Sequence, residues 1–340
     1  MARPPQLTGT SGRATILDVA AAAGVSRQTV TRAVNGMPGI SDATKGRVLA
    51  AAEQLDYRPS RFGRGLVSGG THQLGLLVDD LRNPYSPELA AAVLRLAAAR
   101  GWNVMLADVG LAGDSDRSVQ DLGAQTDVVI GSLGTRAPEW IERLGSVPVV
   151  EFDPHDAPTR GAVRLDPEGA VEALADHLVA VGVKHPLVLD APSSAGAPGE
   201  PSARGALLLD ALRLRGYLPE HLHAEATSAD AGAAGTAAAL ARHARLDAVV
   251  AFNDVMALGV LAACRRAGVE VPDRVRVVGI DGLTLGTLVA PTLTTLAVDL
   301  DEVARHAVDL ALGMLDGSLP RSGPAAERVV RHRLVVRESA

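Results

Sequence analysis

Near the amino end of the chain, apolar residues recur every three or four positions in three short segments. Each segment starts beside a hydroxyl residue, Thr15, Ser26 or Ser41, whose side-chain oxygen can accept a hydrogen bond from a free N–H of a first helical turn. Gly24 ends the first segment, and Pro59 follows the third. Two short helices joined by a glycine-containing turn, with a third helix covering them, predict a helix-turn-helix.

From residue 74 onward, short apolar runs alternate with helical segments. Apolar runs separated by helices are typical of buried strands in parallel sheets. The predicted strands are residues 74–78, 104–107, 128–130, 147–150, 187–189, 248–251 and 275–280. The predicted helices are residues 87–100, 139–144, 167–182, 203–216, 232–244, 254–267 and 301–315. We expect about nine strands in two parallel-sheet α/β subdomains behind an all-α headpiece.

The composition is that of a folded protein whose cores are built from small aliphatic side chains. Of the 340 residues, 47% are hydrophobic but only 2% are aromatic, so a ligand site has few rings for stacking. The lone cysteine, Cys264, excludes a disulfide framework and is interpreted as a packing residue. Residues 1–13 lack the apolar core of a signal peptide, and no uncharged stretch has the length of a membrane span. We therefore expect a soluble, cytoplasmic protein without a membrane partner.

Charge is distributed unevenly along the chain. The formal net charge is −6, from 33 Lys and Arg against 39 Asp and Glu. Residues 1–70 hold nine of the cations and four of the anions, a net of +5, which leaves −11 on the other 270 residues. A basic helical segment in front of an acidic α/β body indicates a nucleic-acid partner for the first segment only.

Residues 15–35 read TILDVAAAAGVSRQTVTRAVN and resemble the headpiece of the LacI/GalR (lactose-repressor/galactose-repressor) family of bacterial transcription regulators. Further blocks resemble the same family in the same order, at residues 41–44, 48–52, 55–59, 74–78, 83–85, 252–259, 277–281, 291–295 and 334–339. The resemblance implies a homodimeric repressor that binds an inverted-repeat operator in double-stranded DNA. It also implies a periplasmic-binding-protein-like body of two Rossmann-like subdomains, which closes on a small polar effector of the sugar class.

The resemblance implies a division of the chain as well. A disordered tail of residues 1–13 precedes the helix-turn-helix domain at 14–59, and a hinge helix or linker follows at 60–70. The effector-binding and dimerisation body covers residues 71–340. Its amino-terminal subdomain is expected to contain residues 71–164 and 296–323. Its carboxy-terminal subdomain is expected to contain residues 165–295 and 324–340.

The second headpiece helix is expected to read DNA in the major groove. Arg27, Gln28 and Arg32 lie on its exposed side, and arginine and glutamine can make paired hydrogen bonds to guanine and adenine. Contacts to phosphates position a protein on DNA without specifying sequence. We expect them from Ser26, Thr31, Asn35 and the backbone of Leu17, and Ile16 is a further expected DNA-binding residue. The alternative is that Arg27 and Arg32 form only a solvated cationic face.

The hinge is expected to contact the minor groove. In the family, a hinge leucine wedges between base pairs and kinks the DNA. Leu66 matches that leucine, and Arg64 is a further expected DNA contact. Gly63 and Gly65 stand where alanine and serine are usual, and each glycine costs about 1 kcal/mol of helix propensity. The hinge helix is therefore expected to form only on DNA.

The resemblance also implies which residues bind the effector. The positions that match the effector-binding positions of the family are Asp79, Tyr85, Asp153, Arg204, Asn253 and Asp281. Carboxylates, an amide and a forked guanidinium can together hydrogen-bond the vicinal hydroxyl groups of a sugar. Each lone aspartate has an alternative role as a helix cap or loop residue, and Asp254 is interpreted as the cap of the helix that follows it.

Three departures from the family pattern leave other functions open. Leu207 replaces a usual glycine, Gly282 replaces a usual acid, and residues 110–123 look short for the second crossover helix. One alternative is a constitutive regulator with a degenerate effector pocket. Another is an α/β sugar-processing enzyme with a fused DNA-binding domain, with Asp79 and Asp153 as an acid/base pair. No nucleophile or cofactor loop supports the enzyme.

Neither a metal nor a cofactor is expected. The glycine-rich run at residues 63–69 precedes a strand, whereas a phosphate-binding loop follows one. His221 and His223 have a spacing that can hold a metal ion, but they are interpreted as residues of a solvated loop.

Overall fold

The computed structural model of the chain describes residues 15–34, 37–55, 72–110, 115–154, 160–191 and 199–340. The chain divides into two compact units, residues 1–71 and 72–340. They correspond to the basic headpiece and the acidic body of the sequence, and each is described by itself. Within the described ranges, no helix is long and apolar enough to cross a membrane.

Three helices form the described part of the headpiece: α1 (Ile16–Ala23), α2 (Arg27–Val34) and α3 (Asp42–Gln54). A capping box closes the start of α1, because Thr15 and Asp18 each accept from the other's backbone N–H. Gly24 ends α1 in the left-handed region at φ 65° and donates its N–H back to the helix. Glycine adopts this conformation without steric cost, so the turn between α1 and α2 is fixed locally.

Ser26 and Ser41 cap the other two helices of the headpiece. Their hydroxyls accept from the backbone N–H of Thr29 at 3.2 Å and of Thr44 at 3.3 Å. The three helices enclose one core of small apolar side chains, namely Val19, Ala20, Val30, Ala33, Val48 and Ala51. The predicted helix-turn-helix with a covering third helix is confirmed.

Two six-stranded sheets form the body. The strands are β1 (Gln73–Val78), β2 (Asn103–Asp108), β3 (Val128–Gly131), β4 (Val149–Phe152), β5 (Gly161–Asp166), β6 (Pro186–Asp190), β7 (Glu220–His223), β8 (Ala248–Ala251), β9 (Arg276–Asp281), β10 (Thr294–Ala297), β11 (Glu327–Arg331) and β12 (Arg333–Val335). The helices are α4 (Tyr85–Ala99), α5 (Ser115–Gln125), α6 (Ala137–Leu144), α7 (Glu168–Ala180), α8 (Ala203–Leu214), α9 (Ala229–Arg242), α10 (Asp254–Arg266) and α11 (Leu300–Leu315).

The strand order of the first sheet is β11-β5-β4-β3-β1-β2, with parallel pairing throughout. The second sheet has the order β12-β10-β9-β8-β6-β7, and only β10 and β12 pair antiparallel. The predicted pair of parallel-sheet subdomains is confirmed. Parallel pairing gathers the carboxyl ends of neighbouring strands at one edge, where ligands bind in open α/β sheets.

Alternate side chains of the central strands pack on opposite faces of each sheet. Leu76 of β1 packs against α4 and α11, whereas Leu77 packs against α5 and α6. In the second sheet, Val188 of β6 packs toward α7 and α8, and Leu189 packs toward α9 and α10. Because both faces are covered, these strands are apolar at consecutive positions, which is the pattern that predicted them.

Five strands, β5, β7, β10, β11 and β12, lack such a pattern and were not predicted. Four of them contain half-exposed or exposed residues, and the fifth, β10, begins with two threonines. His221 and His223 lie within β7 and are partly buried. Their assignment to a solvated loop is therefore wrong.

One further expectation about the body needs correction. The segment at 324–340 was assigned to the second subdomain, but β11 pairs with β5 of the first sheet. The chain returns to the second sheet only at β12, because the hydrophobic pattern of an edge strand does not say which sheet the strand joins. The second crossover helix, expected to be short at residues 110–123, is α5, and its 11 residues are fewer than the 15 of α4.

Candidate functional site

Helix α2 exposes the side chains that were predicted to read DNA. Arg27 and Gln28, in its first turn, are exposed, and Arg32 is partly exposed one turn later. Val30 and Ala33, on the other side of the helix, are buried in the headpiece core. Two guanidinium groups and one amide therefore lie on the free side of α2, where they can hydrogen-bond base edges.

The residues predicted to contact phosphates have mixed surroundings. The Ser26 hydroxyl caps α2, and the Thr31 hydroxyl donates to the Arg27 carbonyl at 3.1 Å. Leu17 is 63% exposed, while Ile16 packs partly against the headpiece core. Phosphate contacts of these four residues stay predictions. Asn35, Arg64 and Leu66 lie outside the described residues.

In the body, Arg204 is the best-fixed of the predicted effector residues. Its guanidinium donates to the Phe252 carbonyl at 2.8 Å and lies 4.7 Å from the centre of the Phe252 ring. Nη1 of Arg204 is also 3.7 Å from Oδ1 of Asp281. The side chain is 25% exposed, so part of the guanidinium fork remains open to a ligand.

Asp281 ends β9 in the left-handed region, at φ 122°. Burial raises the pKa of its carboxyl to about 7, the charge of Arg204 opposes this rise, and Asp254 adds to it. Near neutral pH the carboxyl group can therefore both donate and accept hydrogen bonds. A polar group with both capacities suits a hydroxyl ligand.

Tyr85 begins α4, on the side of the first sheet. Burial raises the pKa of its phenol, and the charges of Asp281, Asp153 and Asp79 raise it further while Arg204 lowers it. The phenol therefore stays protonated and can donate a hydrogen bond. The same interactions show that residues following strands of both sheets share one electrostatic neighbourhood. Five of the six predicted effector residues are brought together in this way.

The other three predicted effector residues differ in their exposure and in their hydrogen bonds. Asp79 and Asp153 follow β1 and β4 and are exposed, and the Asp153 carboxylate accepts from the Leu165 N–H at 3.1 Å. Asn253 is buried, and its side-chain oxygen accepts from the Met256 N–H at 2.8 Å. Asn253 thus caps α10, and only its amide N–H groups are left for an effector.

Asp254 was interpreted as the cap of α10, and this interpretation is wrong. It is the first residue inside the helix and is fully buried. Its carboxylate accepts from the Thr295 hydroxyl at 2.7 Å and from the N–H groups of Gly282 and Leu283 at 2.9 and 2.7 Å. Burial raises the pKa of Asp254 to about 6 despite these bonds. Asp254 therefore fixes the loop that follows Asp281.

Two residues of this neighbourhood were not predicted from the sequence. Phe252 packs under Arg204, and its position just before Asn253 in a recognised block is the signal that indicated it. His332 lies between β11 and β12 and is buried. Burial lowers the pKa of His332, and the charge of Arg204 lowers it further. No sequence pattern indicated His332. Residues 324–340 were all expected in the second subdomain, whereas the chain crosses from the first sheet to the second only after β11.

Glu88 and Thr284 connect the two halves of the body. The carboxylate of Glu88, on α4, accepts from the backbone N–H of Thr284 at 3.2 Å and from its hydroxyl at 3.3 Å. Thr284 belongs to the loop that follows β9. Thr284 comes three residues after Asp281, so this contact and the predicted effector residue Asp281 lie beside the end of the same strand.

Comparison with known proteins assigns both units to recognised families. Residues 15–60 match the family model of bacterial regulatory proteins, lacI family, and residues 175–340 match that of the periplasmic binding protein-like domain. The HTH-type transcriptional regulator PtxS of Pseudomonas plecoglossicida is 31% identical, with 96% of both chains covered.

Solved structures of similar regulators share the fold. The lactose complex of a LacI family transcriptional regulator from Arthrobacter sp. FB24 is 36% identical with a TM-score of 0.74, covering 79% of this chain and 98% of that one. The lac repressor dimer bound to operator and the anti-inducer ONPF is 26% identical with a TM-score of 0.80, covering 96% and 99%. The chain therefore belongs to the LacI family of bacterial transcriptional regulators.

Proposed function

We propose that the protein is a transcriptional repressor that binds an inverted-repeat operator as a homodimer and responds to a sugar held between the two sheets of its body. One observation carries the proposal: a helix-turn-helix with exposed Arg27 and Gln28 occurs in one chain with Tyr85, Arg204 and Asp281, which we propose line an effector cleft. The first set suits base edges and the second set suits hydroxyl groups.

The headpiece supplies the DNA contacts of this proposal. Arg27, Gln28 and Arg32 read bases in the major groove, and the residues around the start of α1 and α2 contact phosphates. The net charge of +5 on residues 1–70 supports binding that weakens steeply with salt. The hinge at residues 60–70, with Arg64 and Leu66, is retained from the resemblance as the minor-groove contact.

The cleft supplies the effector site. Lactose is bound by the Arthrobacter regulator, and the polar groups in the cleft of this chain support a ligand of the same chemical class. Closure on the sugar would act through the Glu88–Thr284 contact between the halves of the body and change the spacing of the two headpieces. We propose that the cleft binds its ligand without turnover, and the regulators among its relatives support this.

Dimerisation is supported by a dimeric structure among the similar proteins and by the symmetry of an inverted repeat. The lac repressor is a dimer on its operator, and an inverted repeat requires two headpieces related by a two-fold axis.

The proposal is tested by selecting duplexes from a randomised DNA pool with the full chain. We expect an enriched inverted repeat whose binding weakens as salt rises, and a pool without any enriched sequence would contradict the proposal. A thermal-shift screen against sugars and nucleosides then tests the effector. DNA selection without any stabilising ligand would favour the constitutive regulator with a degenerate pocket.

A further inference from the structure

Three residues with metal-binding side chains meet at one edge of the second sheet: Asp190, His221 and His223. Strands β6 and β7 pair in parallel, with Asp190 directly opposite His223. Side chains at paired positions lie on the same face, and so does His221, two residues before His223. One ligand atom from each residue lies within 4.8 Å of the other two. The register of an edge strand thus assembles two imidazoles and one carboxylate.

The carboxylate of this cluster is fixed before any ligand arrives. Asp190 is buried and accepts from the backbone N–H and the hydroxyl of Ser202 at 2.8 and 2.7 Å, and from the N–H of Ala191 at 2.9 Å. Its Oδ2 lies 3.3 Å from Nε2 of His221. These hydrogen bonds therefore fix the carboxylate with its Oδ2 near His221.

His223 is held in the tautomer that a metal ion requires. Its Nδ1 lies 3.2 Å from the carbonyl oxygen of Ala191, and a carbonyl oxygen only accepts, so Nδ1 carries the proton. The lone pair is then on Nε2, which is buried and has no hydrogen-bond partner among the residues that the structure describes. Metal-binding histidines donate their other ring N–H to a carbonyl or carboxylate in this way. The two imidazole rings are 4.4 Å apart between centres.

We propose that Asp190, His221 and His223 bind a divalent transition-metal ion. Two nitrogens and one carboxylate oxygen suit Zn²⁺, Co²⁺ or Ni²⁺, whereas Mg²⁺ and Ca²⁺ prefer oxygen ligands alone. In a tetrahedral zinc site with bonds of about 2.1 Å, ligand atoms are about 3.4 Å apart. The 3.3 Å separation of Oδ2 of Asp190 and Nε2 of His221 matches this value. Water or a small ligand completes the coordination.

The site lies close to the predicted effector residue Arg204. Asp190 holds Ser202, which caps α8 two residues before Arg204. A bound ion is therefore expected to stiffen the start of α8 and to raise the melting temperature of the body. Metal binding at this site does not depend on which sugar the cleft binds, or on whether the cleft binds a sugar.

The proposal is tested with the full chain, without a histidine tag, after treatment with a chelator and desalting. Co²⁺ serves as the probe, because its visible ligand-field absorption reports nitrogen and oxygen coordination by the protein. We expect saturation at one equivalent per chain, displacement of Co²⁺ by Zn²⁺, and no displacement by Mg²⁺. Wild-type protein that shows no Co²⁺ band at any stoichiometry would overturn the proposal.

Variants separate the site from adventitious binding. His223→Ala and His221→Ala should each weaken Co²⁺ binding by at least about tenfold. His306→Ala is the matched control, because His306 lies 3.5 Å from a single carboxylate, that of Glu302, on α11. If a histidine-to-alanine variant does not fold, the glutamine variant at the same position replaces it. Co²⁺ binding of wild-type strength in both the His221 and His223 variants would contradict the assignment.

Discussion

Arg204 Nη1 lies 3.7 Å from Asp281 Oδ1, and the same nitrogen donates to the Phe252 carbonyl at 2.8 Å. The pair joins the start of α8 to the end of β9. The ring and the backbone carbonyl of Phe252 hold the guanidinium, so the orientation of the guanidinium does not depend on Asp281 alone. A ligand that hydrogen-bonds both groups therefore meets a site that is formed in advance, which lowers the entropic cost of binding.

Arg204→Lys should abolish most of the effector response while leaving DNA binding intact. Lysine keeps the positive charge near Asp281 but loses the planar fork and its stacking on Phe252. We expect sugar affinity, measured by titration calorimetry, to fall at least about tenfold, which corresponds to about 1.4 kcal/mol. Arg213→Lys is the control, because Arg213 lies on the same helix and pairs with the exposed Asp210. Equal affinities of both variants would contradict the assignment.

Asp281 should make unfolding stability depend on pH. Burial raises its pKa to about 7 in the folded chain, while the unfolded value is near 4. Between these pH values the unfolded chain releases a proton that the folded chain keeps, so wild-type stability should fall, relative to Asp281→Asn, as pH rises from about 4 to about 7. The change should be at most about 4 kcal/mol. Urea unfolding at several pH values measures it, and a pH-independent difference would refute the prediction.

Asp254 should contribute to stability through the loop after β9. Asp254→Ala leaves the Leu283 N–H without its acceptor and leaves the Gly282 N–H with the Thr295 hydroxyl at 3.3 Å, and a buried unpaired group costs about 1–3 kcal/mol. Asp254→Asn keeps an amide oxygen for them and places its NH₂ toward the Thr295 hydroxyl. The free energy of unfolding should therefore fall more for the alanine variant than for the asparagine variant. Equal losses would show that these bonds contribute little.

Arg27 should determine operator sequence, not only affinity. Arg27→Ala should weaken binding to the selected operator by about 1–3 kcal/mol and relax the preference at one base pair. Its side chain is exposed, so the melting temperature should not change. Arg47→Ala removes the same charge from an exposed position on α3 and should weaken binding to all sequences alike. Anisotropy titrations at one salt concentration compare the two variants, and identical sequence preferences would contradict the major-groove role.

Most of the architecture could be predicted because buried strands and capped helices have strong local patterns. Thr15, Ser26 and Ser41 marked the starts of the headpiece helices, and the apolar runs marked the central strands. Strands without a continuous apolar run, such as β11, could not be predicted from local pattern. β11 pairs with β5 across more than 150 residues, and nothing local specifies that register.

The residues of the candidate site could be predicted from the sequence, but the contacts that each of them makes could not. The resemblance brought together Tyr85, Arg204 and Asp281, and their electrostatic coupling in the structure supports the grouping. It did not show that the Asn253 oxygen caps α10, because a capping residue and a ligand-binding residue look alike in sequence. His332 was missed for a different reason, since its position depends on where the chain crosses between the sheets.

The central claim is that a ligand in the cleft changes the affinity of the headpiece for DNA. The most direct test is the affinity of the full chain for its selected operator duplex, by fluorescence anisotropy at fixed salt, with and without a saturating sugar from the screen. We expect the two affinities to differ by about 5- to 150-fold, and we expect Arg204→Lys to need at least about tenfold more sugar for the same difference. Equal operator affinities of the wild-type chain with and without the bound sugar would contradict the account.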